Sequence, residues 1–199
     1  MAQGELWLIR HGQSTANAGA ATSAVDASPL TALGREQAAL AAQRVAQAPD
    51  ILIVSPFRRA RETAAPLVDK WPGTPAQVWP IQEFTYLSPT RCVGLNVLER
   101  RPLADDYWRR ADPAYRDGED AESFVEFAQR LRAFHERVRT LRGFVVAVGH
   151  GQFFHAYRRA LALGLEITPQ WMRGFREADL ASPIGNGEIV RTALVGSAL

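Results

Sequence analysis

The chain is poor in cysteine: Cys92 is the only one in 199 residues. A disulfide framework and a thiolate metal cluster within the chain are therefore excluded. Lysine is nearly absent as well. Lys70 stands alone, so almost all of the 23 basic residues are arginine. The formal net charge is +2, too small by itself to imply nucleic acid, and no aromatic-basic interleaving or known motif points to such a partner. No apolar run approaches the roughly 20 residues that a membrane span needs. The first residues show no basic segment leading into an apolar stretch, the mark of a secretory signal. The expectation is a cytoplasmic protein with no nucleic-acid or membrane partner and an open oligomeric state. Also missing are a glycine-rich phosphate loop ending in Lys-Ser or Lys-Thr and a Gly-x-Ser-x-Gly elbow. His150 and His155 are five apart, a spacing that does not put two ligands on one helical face, and no carboxylate cluster accompanies the histidines. Neither a metal nor a cofactor is expected.

What is present fits a globular domain. The composition is 47% hydrophobic and 22% charged, and the length suits one domain over residues 1–199. Leu6–Ile9, Ile51–Val54 and Phe144–Val148 are short continuous apolar runs, read as buried strands. Thr31 caps a helix that runs to about Ala48. Ser55-Pro56 opens another, ending near Trp71. Val78–Gln82 is a candidate third strand. Glu83 to about Glu119 reads as irregular, a long excursion acting as a lid or cap over about 83–120. Ser123 and Glu126 form a capping box for a helix whose Phe124, Phe127, Leu131, Phe134, Val138 and Leu141 make a core stripe. His135 is assigned to the exposed face of that helix and read as inert. A helix over about Phe153–Leu163 and a last strand over Glu188–Val195, after the turn Asn186-Gly187, complete the pattern. Apolar strands alternating with amphipathic helices predict an α/β fold of three layers, α/β/α, with a mainly parallel central sheet.

Three strand-to-helix junctions carry unusual residues: Arg10-His11-Gly12, Ser55-Pro56-Phe57-Arg58-Arg59 and Gly149-His150-Gly151. In an open parallel sheet all three lie at the carboxyl edge, where ligands bind. Two imidazoles, guanidiniums and helix amino ends then converge, and the ligand they suit is an anion, best a phosphate ester. The glycines beside the histidines let backbone approach that ligand. Arg58 and Arg61 are placed on the solvated face of their helix, with a surface ion pair to Glu62 as an alternative use for Arg59.

These residues resemble the histidine phosphatase superfamily, the phosphoglycerate mutase-like group. The resemblance rests on Leu8-Ile9-Arg10-His11-Gly12-Gln13-Ser14-Thr15-Ala16-Asn17 and on Pro29-Leu30-Thr31-Ala32-Leu33-Gly34-Arg35-Glu36. It continues in Ser55-Pro56-Phe57-Arg58-Arg59-Ala60-Arg61-Glu62-Thr63 and Val148-Gly149-His150-Gly151. It implies a phosphoglycerate mutase-like fold and a metal-independent phosphomonoesterase working on a small-molecule phosphate ester. His11 would attack phosphorus and become phosphohistidine. Arg10, Arg59 and His150 would hold the phosphoryl oxygens, Asn17 would add a hydrogen bond with Ser14 nearby, and Glu83 would be the acid. A neutral His11 is required for attack, and a cationic His150 would help. The chain departs from the family in two places. Thr85-Tyr86-Leu87-Ser88-Pro89 stands where many members have Gly-x-Trp-Glu-Gly, and Gln152 where a second glycine is frequent. The first departure leaves the substrate class open. The alternatives are mutase-type phosphoryl transfer, disfavoured by the short run after the last strand, and a phosphate-binding protein of the same fold without turnover. Arg100 and Arg101 are read as surface charge, with a substrate carboxylate or second phosphate as the other use.

Overall fold

The computed structural model describes residues 4–21, 24–194 and 199. Five strands form one sheet in the order β3-β2-β4-β1-β5. They are β1 (Gly4–Arg10), β2 (Ile51–Val54), β3 (Ala76–Val78), β4 (Gly143–Gly149) and β5 (Ile189–Ala193). The first four run parallel, and β5 pairs antiparallel to the edge of β1. The three expected apolar strands lie where their runs of branched side chains put them. The candidate strand Val78–Gln82 does not: the strand here is β3, Ala76–Val78, which shares only Val78 with it and is exposed along its length. An edge strand of three residues has no apolar run to betray it.

Side-chain alternation divides the core in two. Leu6, Leu8, Ile51, Ile53, Val145 and Ala147 face one side of the sheet. Trp7, Ile9, Leu52, Val54, Val146 and Val148 face the other. The second side is covered by α1 (Ala32–Arg44) and α2 (Arg58–Lys70). The first carries α5 (Phe124–Val138), α6 (Gly151–Leu163) and α7 (Pro169–Ala181). The fold is thus the expected α/β/α stack. The Thr31 cap is in place, its side chain accepting from Gly34 N at 3.0 Å, although α1 ends at Arg44 rather than near Ala48. The Ser123–Glu126 capping box also forms.

Two further expectations are corrected, and one helix was missed. The stretch after Glu83 is not irregular: α3 (Pro89–Cys92) and α4 (Val97–Arg110) occupy it, α4 begun by its own Asn96–Glu99 capping box. Phe84, Tyr107 and Trp108 from this stretch are buried in the main core. His135 is not on an exposed face; it is 1% exposed, with Nδ1 3.1 Å from the Tyr157 hydroxyl. α7 was not foreseen, although Thr168 caps it, Pro169 occupies its first turn, and Trp171, Met172 and Phe175 supply its buried stripe.

Candidate active site

The register of β1 on β4 sets Arg10 opposite Gly149. The next residues on the two strands are His11 and His150. By strand alternation both fall on the side of the sheet that α2 covers, while Arg10 falls on the side of α6. The two imidazoles accordingly meet edge to face, their centroids 5.0 Å apart. Arg59, in the first turn of α2, comes down onto both.

The hydrogen bonds fix the tautomers. His11 Nδ1 lies 2.7 Å from the Gly12 carbonyl, which can only accept, so Nδ1 carries the proton. Arg59 Nε donates to His11 Nε2 at 3.1 Å, so Nε2 presents a lone pair. Burial, with Arg59 and Arg10 adding repulsion, pushes His11 down to about 3. It is a neutral imidazole at ordinary pH, as a nucleophile must be. Arg59 spends its other nitrogens on the Val25 carbonyl at 2.8 Å and on His150 Nδ1 at 3.3 Å. His150 Nε2 in turn donates to Ser55 Oγ at 2.8 Å. His150 has no exposed surface. Burial holds it well below the usual imidazole range, and Arg59, His11 and Arg10 push the same way. The expected cationic His150 is therefore corrected: with these neighbours it is neutral. Arg59 itself, desolvated, is pushed down to about 10 and remains charged.

Arg10 donates to the Ile184 carbonyl. Its Nε is buried without a hydrogen-bond partner, a donor that an incoming oxyanion would satisfy. Gly151 makes room for it, since a Cβ there would lie 3.2 Å from that nitrogen. Gly12 has a different task. A Cβ on Gly12 would sit 2.2 Å from the Gly34 carbonyl oxygen, and one on Gly34 would sit 2.0 Å from the Gln13 carbonyl oxygen. These two glycines let the His11 loop lie directly on the first turn of α1. The loop is pinned further by Thr63 Oγ1 to Gly12 N at 3.0 Å and by Gln37 Oε1 to Gln13 N at 2.8 Å.

Glu83 stands across the same cleft. Its carboxylate accepts from Gln152 N and Phe153 N, at 3.4 and 3.3 Å, in the opening turn of α6. Burial nonetheless raises its pKa, against the pull of Arg10 and Arg59. The Asn17 Oδ1 accepts from Ser14 N at 3.1 Å, Ser14 Oγ at 3.0 Å and Asn186 Nδ2 at 3.3 Å. The Ser14 hydroxyl proton is thus committed to Asn17. Asn186 also donates to the His11 carbonyl at 3.0 Å. A cleft of about 600 Å³ is lined by Arg10, His11, Ser14, Asn17, Arg59 and Glu83 at this end. All the residues picked out in the sequence converge here except that His150 lies behind Arg59, outside the cleft wall. Arg58 and Arg61 are exposed, and Arg58, not Arg59, pairs with Glu62, at 2.6 Å. Ser55, Thr63 and Asn186 were not singled out. Ser55 follows β2 as His11 follows β1, which was a usable signal; Asn186 looked only like a turn residue. Among the described residues no group of three or more His, Cys, Asp or Glu is arranged to hold a metal ion, and no helix is long and apolar enough to cross a membrane.

The model of the histidine phosphatase superfamily (branch 1) matches residues 6–182. Among curated relatives, a glucosyl-3-phosphoglycerate phosphatase of Mycolicibacterium vanbaalenii is 35% identical over 173 residues, 81% of this chain and 75% of that protein. A probable phosphoglycerate mutase of Yersinia enterocolitica is 31% identical over 138 residues, 65% of this chain and 60% of that protein. The solved structure of a mycobacterial glucosyl-3-phosphoglycerate phosphatase superposes with a TM-score of 0.69 at 26% identity, covering 94% of this chain and 89% of that one.

Proposed function

This chain belongs to the histidine phosphatase superfamily, and on that premise we propose that it is a metal-independent phosphomonoesterase acting through a phosphohistidine at His11. The observation that carries the assignment of His11 is the pair of hydrogen bonds on its ring: Nδ1 donating to Gly12 and Nε2, unprotonated, accepting from Arg59.

In the first step Nε2 attacks phosphorus as the bond to the ester oxygen breaks. Arg59 and Arg10 take up the phosphoryl oxygens, the buried Nε of Arg10 finding its acceptor there. The transition state spreads negative charge over those oxygens, and fixed guanidiniums stabilise it without reorganising. His150, the expected further phosphate ligand, acts from behind Arg59, which it orients through Nδ1. Asn17, held by Ser14 and Asn186, offers its amide NH₂; Ser14 acts through Asn17. Glu83, whose raised pKa favours the protonated form, gives its proton to the departing alcohol. Water then attacks the phosphohistidine, Glu83 takes a proton from it, and inorganic phosphate leaves with His11 neutral again. The α3–α4 stretch acts as a lid over this chemistry.

Mutase-type transfer is the second reading, supported by the likeness to a mutase. The decisive experiment incubates the protein with a labelled phosphate ester, quenches in alkali, and maps label to His11. Release of inorganic phosphate without a bisphosphate primer, and in the presence of chelator, identifies the hydrolase. Dependence on the primer identifies the mutase. Absence of label with binding retained identifies a non-catalytic binder.

A further inference from the structure

The cleft runs well beyond the phosphate end. Its far half lies between the first turns of α4 and the last turn of α7. Among the described residues ten large apolar side chains are exposed, and four of them, Val25, Val97, Leu98 and Leu180, line this one concavity. Leu98 and Leu180 are 76% and 63% exposed. Scattered exposed leucines mean nothing, but apolar side chains gathered around one cleft mark a surface that is covered in use.

Two cations of this half, Arg100 and Arg176, are held by neighbours, and the third, Arg101, stays open. Arg100 donates to the Leu95 carbonyl at 3.0 and 2.6 Å. Arg101 faces Asp105 at 3.9 Å. Arg176 faces Asp179 at 3.8 Å and lies over the Trp108 ring. Beside the open Arg101–Asp105 pair, the uncovered surface is the hydrocarbon of Val97, Leu98 and Leu180. The cleft is continuous from Glu83, the proposed acid, through Tyr86 and Leu87 to this mouth. The alcohol half of a bound ester must leave along it. Resting on the phosphomonoesterase reading, we infer that the substrate's alcohol half is an apolar body of several carbons, alkyl or aryl, lying against Val97, Leu98 and Leu180.

Initial rates on ethyl, butyl and hexyl phosphate test the inference. kcat/KM rises with each methylene by about 2–4-fold, as burial of hydrocarbon requires. Cyclohexylmethyl phosphate, which keeps a six-membered ring and exocyclic CH₂ but lacks hydroxyls, outruns glucose 6-phosphate by about tenfold or more. In the double variant Leu98→Ser, Leu180→Ser the hexyl-to-ethyl ratio of kcat/KM falls by about fivefold. A flat chain-length series, or a ratio untouched by the double variant, overturns the inference. So does preference for an ω-carboxylated hexyl phosphate over hexyl phosphate, which would give the arginines a second anion. Calorimetry of hexylphosphonate and ethylphosphonate on His11→Ala separates this inference from the one beneath it. Preference of this variant for the hexyl compound, where the wild-type protein hydrolyses no ester, keeps the apolar pocket and removes the phosphatase. Equal binding of the two removes the pocket.

Discussion

Arg59 Nε donates to His11 Nε2 across 3.1 Å, so a buried cation of the site rests against the atom that does the chemistry. The contact holds the imidazole ring in place, with the Nε2 lone pair on the Arg59 Nε–H. It also keeps the proton off: Arg59 and burial act in the same direction on His11. Nucleophile and phosphate anchor are a single unit.

His11→Ala should lose turnover altogether while remaining folded. The measurement is kcat on an activated aryl phosphate together with alkali-stable label on the protein. Near-normal hydrolysis by a folded variant would remove the nucleophile from this position.

Arg59→Ala should weaken phosphate-product binding and turnover together, by about 10²-fold or more in kcat as for other lost charge-stabilising donors. Arg58→Ala should do far less, because Arg58 is exposed and only pairs with Glu62. Product-inhibition constants and kcat for the two variants decide the matter. Damage confined to the Arg58 variant would shift the assignment by one residue.

Glu83→Gln should separate substrates by leaving group. Hydrolysis of an alkyl phosphate, which needs a proton on the departing oxygen, slows by roughly 10²–10⁴-fold. Hydrolysis of an aryl ester with an acidic phenol slows far less. Since burial raises the Glu83 pKa, the wild-type alkyl rate falls as pH climbs past that pKa, and this limb disappears in the variant. Equal slowing of both esters would strip Glu83 of its role.

The buried His11 makes the fold sensitive to acid. It ionises at about 3 in the fold against 6.5 as a free side chain. As pH falls below that free value, the unfolded chain takes up a proton that the fold refuses. Stability is lost down to about pH 3, by up to about 1.4 kcal/mol per pH unit. Urea unfolding of wild type and His11→Ala between pH 4 and 7 isolates the term: the variant should lose stability less steeply. Parallel curves would mean that His11 is protonated in the fold.

Gly34→Ala should destabilise by about 1–3 kcal/mol or more, the usual cost of overpacking, because its Cβ meets the Gln13 carbonyl oxygen at 2.0 Å. Thermal unfolding gives the stability loss. A neutral change would show that α1 can withdraw from the loop.

How much of this was legible in the sequence depended on periodicity and on motif. β1, β2 and β4 announced themselves because strands buried on both faces are apolar throughout. β3 is short and exposed, so it left no pattern. α4 was obscured by charge: Glu99, Arg100, Arg101, Asp105 and Asp106 hide the two aromatics, Tyr107 and Trp108, that tie it to the core. His11, Arg10, Arg59 and Glu83 were found because they sit at strand ends or in a recognisable motif. The neutrality of His150 was not legible, since it follows first from burial and then from cationic and imidazole neighbours brought from distant segments. Thr63 and Asn186 serve the site through the backbone of the His11 loop, and a side chain that grips a peptide group leaves no signature of its own.

Arg10 and His11 are adjacent in the chain yet serve opposite faces of the sheet, because successive side chains on a strand point opposite ways. Their division of labour is therefore a matter of phase. A slip of β1 by one residue against β4 would carry the imidazole away from Arg59 and bring the guanidinium into its place. The same slip would turn Leu6 and Leu8 out of one core and Trp7 and Ile9 out of the other. Chemical competence and correct packing are thus inherited from one alignment, and β5, clasping the free edge of β1 from Ile9 to Glu5, is the latch that denies the chain any other.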